Sequence, residues 1–176
     1  MLAEAGYPGG KGLPELQLCG GDDARTVEQA AQFIRNVERI GVKIRYESMR
    51  FAELSQKLNE KRCQMMGLAW GGDWPDAQNF IQLLYGPNAS PGSNNLNYDN
   101  PQVNALYEKA SVMQDGPERN ALYARINKIA VEDVPFIGSM ARTRDYLWDE
   151  NTLNFKPEEM FHHHAKFIRL KSWGGR

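Results

Sequence analysis

Three short apolar runs alternate with two stretches of helical spacing between residues 15 and 72, and that order confines the chain to the α/β class. Glu15 to Cys19 is a strand-like run stopped by Gly20-Gly21. Asp22 and Asp23 then offer caps for a helix whose Val27, Ala30, Ala31, Ile34 and Val37 fall three and four apart on one face, and Gly41 ends it. Val42 to Met49 alternates apolar Val42, Ile44 and Tyr46 with polar neighbours, the period of a half-exposed strand. A second helix carries Leu54 and Leu58 one turn apart. Cys63 to Trp70 follows as a nearly continuous apolar run, the pattern of a central parallel strand covered on both faces, and it too stops at a glycine pair, Gly71-Gly72. The expected core is a parallel sheet between helical layers, joined by right-handed crossovers.

In such sheets ligands gather beyond the carboxyl ends of the strands. The two loops at those ends, Cys19-Gly20-Gly21 and Trp70-Gly71-Gly72-Asp73, are therefore singled out by topology alone. The same layout bears on the cysteines. Cys19 closes the first strand and Cys63 opens the third, which separates them by ~15 Å along the sheet at ~3.3 Å per residue. A disulfide needs Cα atoms within ~7 Å, so both are expected as free, buried thiols.

The second half changes character. Gly86 to Asn100 is dense in Gly, Pro, Ser and Asn and reads as a long surface connection. Asn100-Pro101 and Asp115-Gly116-Pro117 each begin a helix, with proline at its first position and a capping side chain before it. Val134-Pro135 ends the second of these. The tail from Phe136 to Arg176 reads as short strands and turns, including Asp145–Trp148 and Phe167–Leu170.

With 21 basic and 22 acidic residues among 176, the formal charge is −1 and no block of one sign occurs. A non-specific nucleic-acid binder or a polybasic membrane anchor needs a basic surface that this composition does not supply. No apolar run approaches the ~20 residues that span a bilayer. The amino terminus lacks the basic start and apolar stretch of a secretory signal, which taken literally reads as cytoplasmic.

Four blocks make the sequence resemble the peptide-binding class of extracellular solute-binding proteins, the receptor subunits of oligopeptide, dipeptide and nickel ABC importers. They are the opening LAEAGYPGGKGLPEL, Ala69 to Phe80 (AWGGDWPDAQNF), Asn95 to Tyr107 (NLNYDNPQVNALY) and Arg119 to Pro135. Ala69, Ala77 and Asn104 depart from the family's usual Gly, Pro and Asp. The resemblance implies an α/β lobe of the two-lobed, type II periplasmic-binding-protein-like fold. Residues 1–134 would form a partial lobe with a three-layer parallel-sheet core and carboxy-terminal helices. Residues 135–176 would supply strands returning toward the hinge and the other lobe.

It also implies that Asp73 meets the α-ammonium group of a bound peptide; the plainer reading is a cap on the helix begun near Pro75. Trp70 and Trp74 would flank the solute, with a core position as the alternative for Trp70. Gly71 and Gly72 would let a ligand approach the backbone, or simply make a turn, and Cys19 and Gly20 line the neighbouring strand end. Asp73 and Asp76 could form a carboxylate pair, but the intervening Pro75 suggests a turn. His162-His163-His164 reads as a solvated run, because only His162 and His164 would share a face of a strand and no ligand at metal-site spacing completes them. No nucleophile elbow, phosphate-cradling loop or zinc-protease pair occurs, so no enzyme activity, cofactor or metal is expected.

The implied function is the carboxy-terminal part of the substrate-binding subunit of an ABC importer, a piece of a longer exported protein that is a monomer in full-length form, periplasmic or anchored at the cell surface. It would capture a peptide between lobes and present it to the membrane permease. The alternatives are an oligosaccharide, opine or metal-chelate binder on the same fold, or the sensor domain of a cytoplasmic regulator.

Overall fold

The computed structural model describes residues 1–138, 143, 145, 147–155 and 168–171. The chain divides into two compact units, Met1–Trp70 with Leu83–Asn104 and Gly71–Gln82 with Ala105–Arg176.

The first unit is built on three parallel strands: β1 (Leu16–Gly21), β2 (Ile44–Met49) and β3 (Met65–Met66), in the order β2-β1-β3. Helices α1 (Ala24–Glu38) and α2 (Phe51–Asn59) provide the crossovers. Successive side chains of a strand point to opposite faces, and β1 shows the result. Leu18 packs with Ala30 of α1 and Ile44, while Cys19 packs with Leu54 and Leu58 of α2 and with Met49. Helix, sheet and helix thus form the expected three layers. The Asp23 carboxylate accepts the Thr26 N–H at 3.1 Å and caps α1, and Gly41 takes up a left-handed φ of 88° just beyond that helix.

Two expectations fail here, for one reason. The run from Cys63 to Trp70 is not a central strand, since only Met65 and Met66 pair, at the edge of the sheet. The Gly67 N–H still donates to the Cys19 carbonyl at 2.9 Å, but Leu68 and Trp70 are exposed. Nor are the cysteines free: Cys19 and Cys63 form a disulfide, with Cα atoms 5.9 Å apart. Cys63 belongs to the connection leaving α2 and not to a strand, so the spacing of a regular strand does not set its distance from Cys19. It packs with the cluster that Cys19, Leu54 and Leu58 form.

The Asn-rich connection also belongs to this unit and is a hydrogen-bonded scaffold. Asn94, fully buried, donates through Nδ2 to the carbonyls of Tyr85 and Tyr98 at 3.0 and 2.8 Å. Asn104 accepts the Gly86 N–H at 2.9 Å and donates to Asp99 Oδ1 at 2.7 Å, a bond that an ionised aspartate there could not donate.

In the second unit, α3 (Gln78–Ile81) packs on α5 (Pro117–Asp133), which buries Arg119, Tyr123, Ile126 and Ala130 at helical spacing. Helix α4 (Pro101–Ser111), whose first turn to Asn104 is counted with the first unit, begins as predicted, with Asn100 Oδ1 accepting the Gln102 N–H at 2.9 Å. The cap expected from Asp115 on α5 is absent, because Gly116 holds that position without a side-chain bond. Helix α5 ends as predicted before Pro135, with Val134 in the left-handed region at φ 50°.

In the tail, Thr152–Leu153 (β4) pairs antiparallel with Arg169–Leu170 (β5). The strand expected at Asp145–Trp148 does not form at Asp145, Leu147 or Trp148. Leu147 is 99% exposed and Trp148 turns onto Phe155 at 4.8 Å between ring centroids, so the residues lack the alternating burial a strand needs. Tyr146, Phe167 and His162–His164 lie outside the described residues.

Candidate functional site

The singled-out residues fall in both units. In the first, Cys19 is fully buried in the disulfide, and its carbonyl is taken by Gly67. Gly20 has a packing explanation, since a Cβ there would run into the Tyr46 ring. Tyr46 crosses that position to donate its hydroxyl to the Gly21 carbonyl at 2.6 Å. Burial, with Asp23 and Asp22 adding to it, pushes the Tyr46 phenol up from its ordinary range. Trp70 closes this unit's first segment and is 38% exposed, which excludes a core position at the end of a central strand.

In the second unit, Gly71, Gly72, Asp73 and Trp74 open a loop that runs into α3. Asp73 is exposed and does not cap the helix. Its backbone N–H donates to Asn79 Oδ1 at 3.1 Å, and its Oδ2 accepts from Asn79 Nδ2 at 3.2 Å. The helix-entry role falls to Asp76, whose Oδ1 accepts the Gln78 N–H at 2.7 Å. Trp74 is 40% exposed. A Cβ on Gly71 would meet nothing within 4 Å, so crowding does not account for glycine there.

The loop is held from below by an ion pair. Arg119, on the first turn of α5, donates Nη1 to Asp76 Oδ2 at 2.6 Å, Nε to the Ala110 carbonyl at 3.2 Å and Nη2 to Gln78 Oε1 at 3.4 Å. Its guanidinium lies 4.9 Å from the centre of the Tyr123 ring, within cation–π range. The Arg119 side chain is 7% exposed and that of Asp76 28%, so the pair is half buried. Arg119 holds the Asp76 carboxyl below the usual aspartate range, and Asp76 in return holds Arg119 more firmly charged. The Asp73–Asp76 carboxylate pair therefore does not arise: each acid has its own partner. Sequence reasoning missed Asn79 and the role of Arg119. The available signals were slight: Asn79 lies between Gln78 and the apolar Phe80-Ile81, and Arg119 falls four residues before Tyr123 on the face that Ile126 and Ala130 continue. Among the described residues no group of three or more His, Cys, Asp and Glu could hold a metal ion.

This architecture is the type II fold of periplasmic binding proteins. The ABC transporter-associated periplasmic binding protein DppA of Helicobacter pylori, solved with the peptide STSA, superposes with a TM-score of 0.68 at 25% identity, covering 76% of this chain and 26% of its own. The chain belongs to the bacterial extracellular solute-binding proteins, family 5, whose middle region matches residues 1–92. Among relatives, the oligopeptide-binding protein OppA of Bacillus subtilis is 26% identical over 152 residues, 85% of this chain and 27% of OppA. Heme-binding protein A of Haemophilus influenzae is 27% identical over 142 residues, 78% of this chain and 25% of that protein. The chain thus spans about a quarter of the length of the relatives it matches.

Proposed function

We propose that this chain is part of the solute-binding subunit of an ABC importer, and that the loop Gly71–Trp74 captures peptides by their free amino terminus. The observation that carries this reading is the state of Asp73. Its Oδ2 is held by Asn79, while Oδ1 accepts no hydrogen bond among the described residues, on a loop exposed to solvent. A carboxylate presented in that way is a receptor for one N–H⁺ donor, and a charge-assisted bond of that kind contributes about 1.5–3 kcal/mol net. Gly71 supports the same reading, because the space beside it leaves room for a ligand backbone. Trp74 offers an apolar wall with a polar edge on the same loop. The relatives named for oligopeptide binding, and the neighbour solved with a bound peptide, favour this ligand class.

The subunit acts by closing over its ligand, which shifts an open–closed balance toward the form that a membrane permease accepts. Residues 1–134 contribute a partial lobe and 135–176 the return toward the hinge. It binds and carries, and no reaction is assigned to it. The Cys19–Cys63 disulfide and the extracellular family suit an oxidising compartment, either free in the periplasm or anchored at the cell surface. Haem is the specific rival, since one relative is named for it; its carboxylates give Asp73 no cation to meet.

The test is calorimetry of the full-length protein, wild type and Asp73→Asn, against di- to pentapeptides, their N-acetylated counterparts and haem. Binding of free-amine peptides alone, lost in the variant, supports the reading. Indifference to acetylation, or binding of haem alone, overturns it.

A further inference from the structure

We propose that Asn79 is the positioning residue for the ligand-binding carboxylate: it clamps Asp73 at Oδ2 and leaves Oδ1 to the incoming ammonium. This rests on the assignment of Asp73 made above and adds the device that makes it work. An aspartate on an exposed loop samples several rotamers, and a ligand that selects one must overcome the entropy of fixing it. Asn79 removes that freedom in advance. Its side chain is fully buried, and it meets Asp73 at two points, backbone N–H and carboxylate. The orientation of its amide is determined. A backbone N–H can only donate, so the oxygen of Asn79 must face it, and the NH₂ is thereby turned to the carboxylate.

The chemistry of the clamp also suits a cationic ligand. A lysine or arginine in this place would neutralise Asp73 and compete with the ligand's charge. A neutral amide supplies a hydrogen bond and leaves the full negative charge in place. The clamp is itself fixed: the Asn79 N–H donates to the Asp76 carbonyl at 3.1 Å, and Asp76 is held by Arg119. Asp73, Asn79, Asp76 and Arg119 thus form one chain of constraints from the loop tip to α5, all within the second unit.

The experiment is a double-mutant cycle in the full-length protein with Asp73→Asn, Asn79→Ala and both. It reads the ratio of Kd for an N-acetylated peptide to Kd for the same peptide with a free amine. Asn79→Ala is expected to lower that ratio about fivefold, the equivalent of ~1 kcal/mol, with Kd for the acetylated peptide unchanged. The double variant should be no worse than Asp73→Asn alone. If Asn79→Ala weakens both peptides equally, or if the two effects multiply, the clamp is overturned while the role of Asp73 stands. If the wild type ignores acetylation, the ammonium reading falls and the clamp's purpose with it. A ligand-free readout guards against a variant that fails to fold. In wild type the Asp73 amide should exchange with solvent at least about tenfold more slowly than a free loop amide; an unprotected Asp73 amide overturns the clamp.

Discussion

Strand β1 and the loop from Asp73 to Asn79 are held in place by opposite means. β1 lies between two parallel neighbours, buries alternate side chains under α1 and α2, and is joined to Cys63 by a covalent bond. The loop has no ladder, and most of its residues are exposed. Polar side chains hold it, Asn79 on Asp73 and Arg119 on Asp76. Backbone ladders and apolar faces fix a frame with little dependence on pH. A polar brace fixes an exposed carboxylate just as well, but its strength depends on protonation and on single atoms. On the proposed function, the difference suits a carrier, in which a permanent frame supports a loop that must exchange water for ligand.

The largest effect should come from breaking the covalent side of the comparison. Replacing both cysteines with alanine opens a link between residues 44 apart in sequence, which in the chain-entropy view is worth about 4 kcal/mol. Urea unfolding followed by circular dichroism would read it. A loss below about 1 kcal/mol would show that the ladder alone holds β1.

On the polar side, Arg119→Leu leaves the half-buried Asp76 carboxylate unpaired and should cost about 3 kcal/mol. The exposed pair of Arg45 and Glu15, 3.9 Å apart, is the control and should cost under ~0.5 kcal/mol when broken. The same brace should respond to acid. Asp76 has a folded-state pKa below its ordinary value of 3.8, so its contribution is complete above that value and fades as pH falls through the depressed one. Asp76→Asn should therefore be less stable than wild type by a constant margin from neutral pH down to about pH 5. The margin should shrink below pH 3.8, as urea midpoints across that range would show. A margin that stayed constant in acid would remove the ion pair from the account.

The smallest effect lies at the end of α5. Val134 is a β-branched residue at φ 50° and is exposed. Val134→Gly should relieve that strain and raise stability by about 0.5 kcal/mol in the same assay. A loss would mean that the packing of its side chain outweighs the backbone strain.

Legibility in the sequence followed the same division. Period-two alternation and helical spacing announced β1, α1, β2 and α2, because backbone geometry imposes those periods on any chain. The glycine pairs and the Asp73 block also stood out. What stayed hidden depends on distance in space. Cys63 meets Cys19 because a connection, and not a strand, carries it, and apolar character at Leu68 and Trp70 gave no sign that the chain leaves the sheet after Met66. Arg119 and Asp76 are 43 residues apart, and no local pattern pairs them. Asn79 stood in the block from Ala69 to Phe80 with nothing to single it out, and its place shows only once Asp73 is seen beside it.

The Cys19–Cys63 bond also gives the chain a sense of place. Cys19 leaves the ribosome well before Cys63, and neither can pair while glutathione and thioredoxin keep thiols reduced. Without that bond, the two-residue strand β3 is held by its few backbone bonds and by the packing of Met65 and Met66 against the two core clusters. On the proposed function, the final constraint is added by an oxidant encountered after export. The finished fold would then be a record of arrival: a locked frame marks a molecule that has left the reducing compartment.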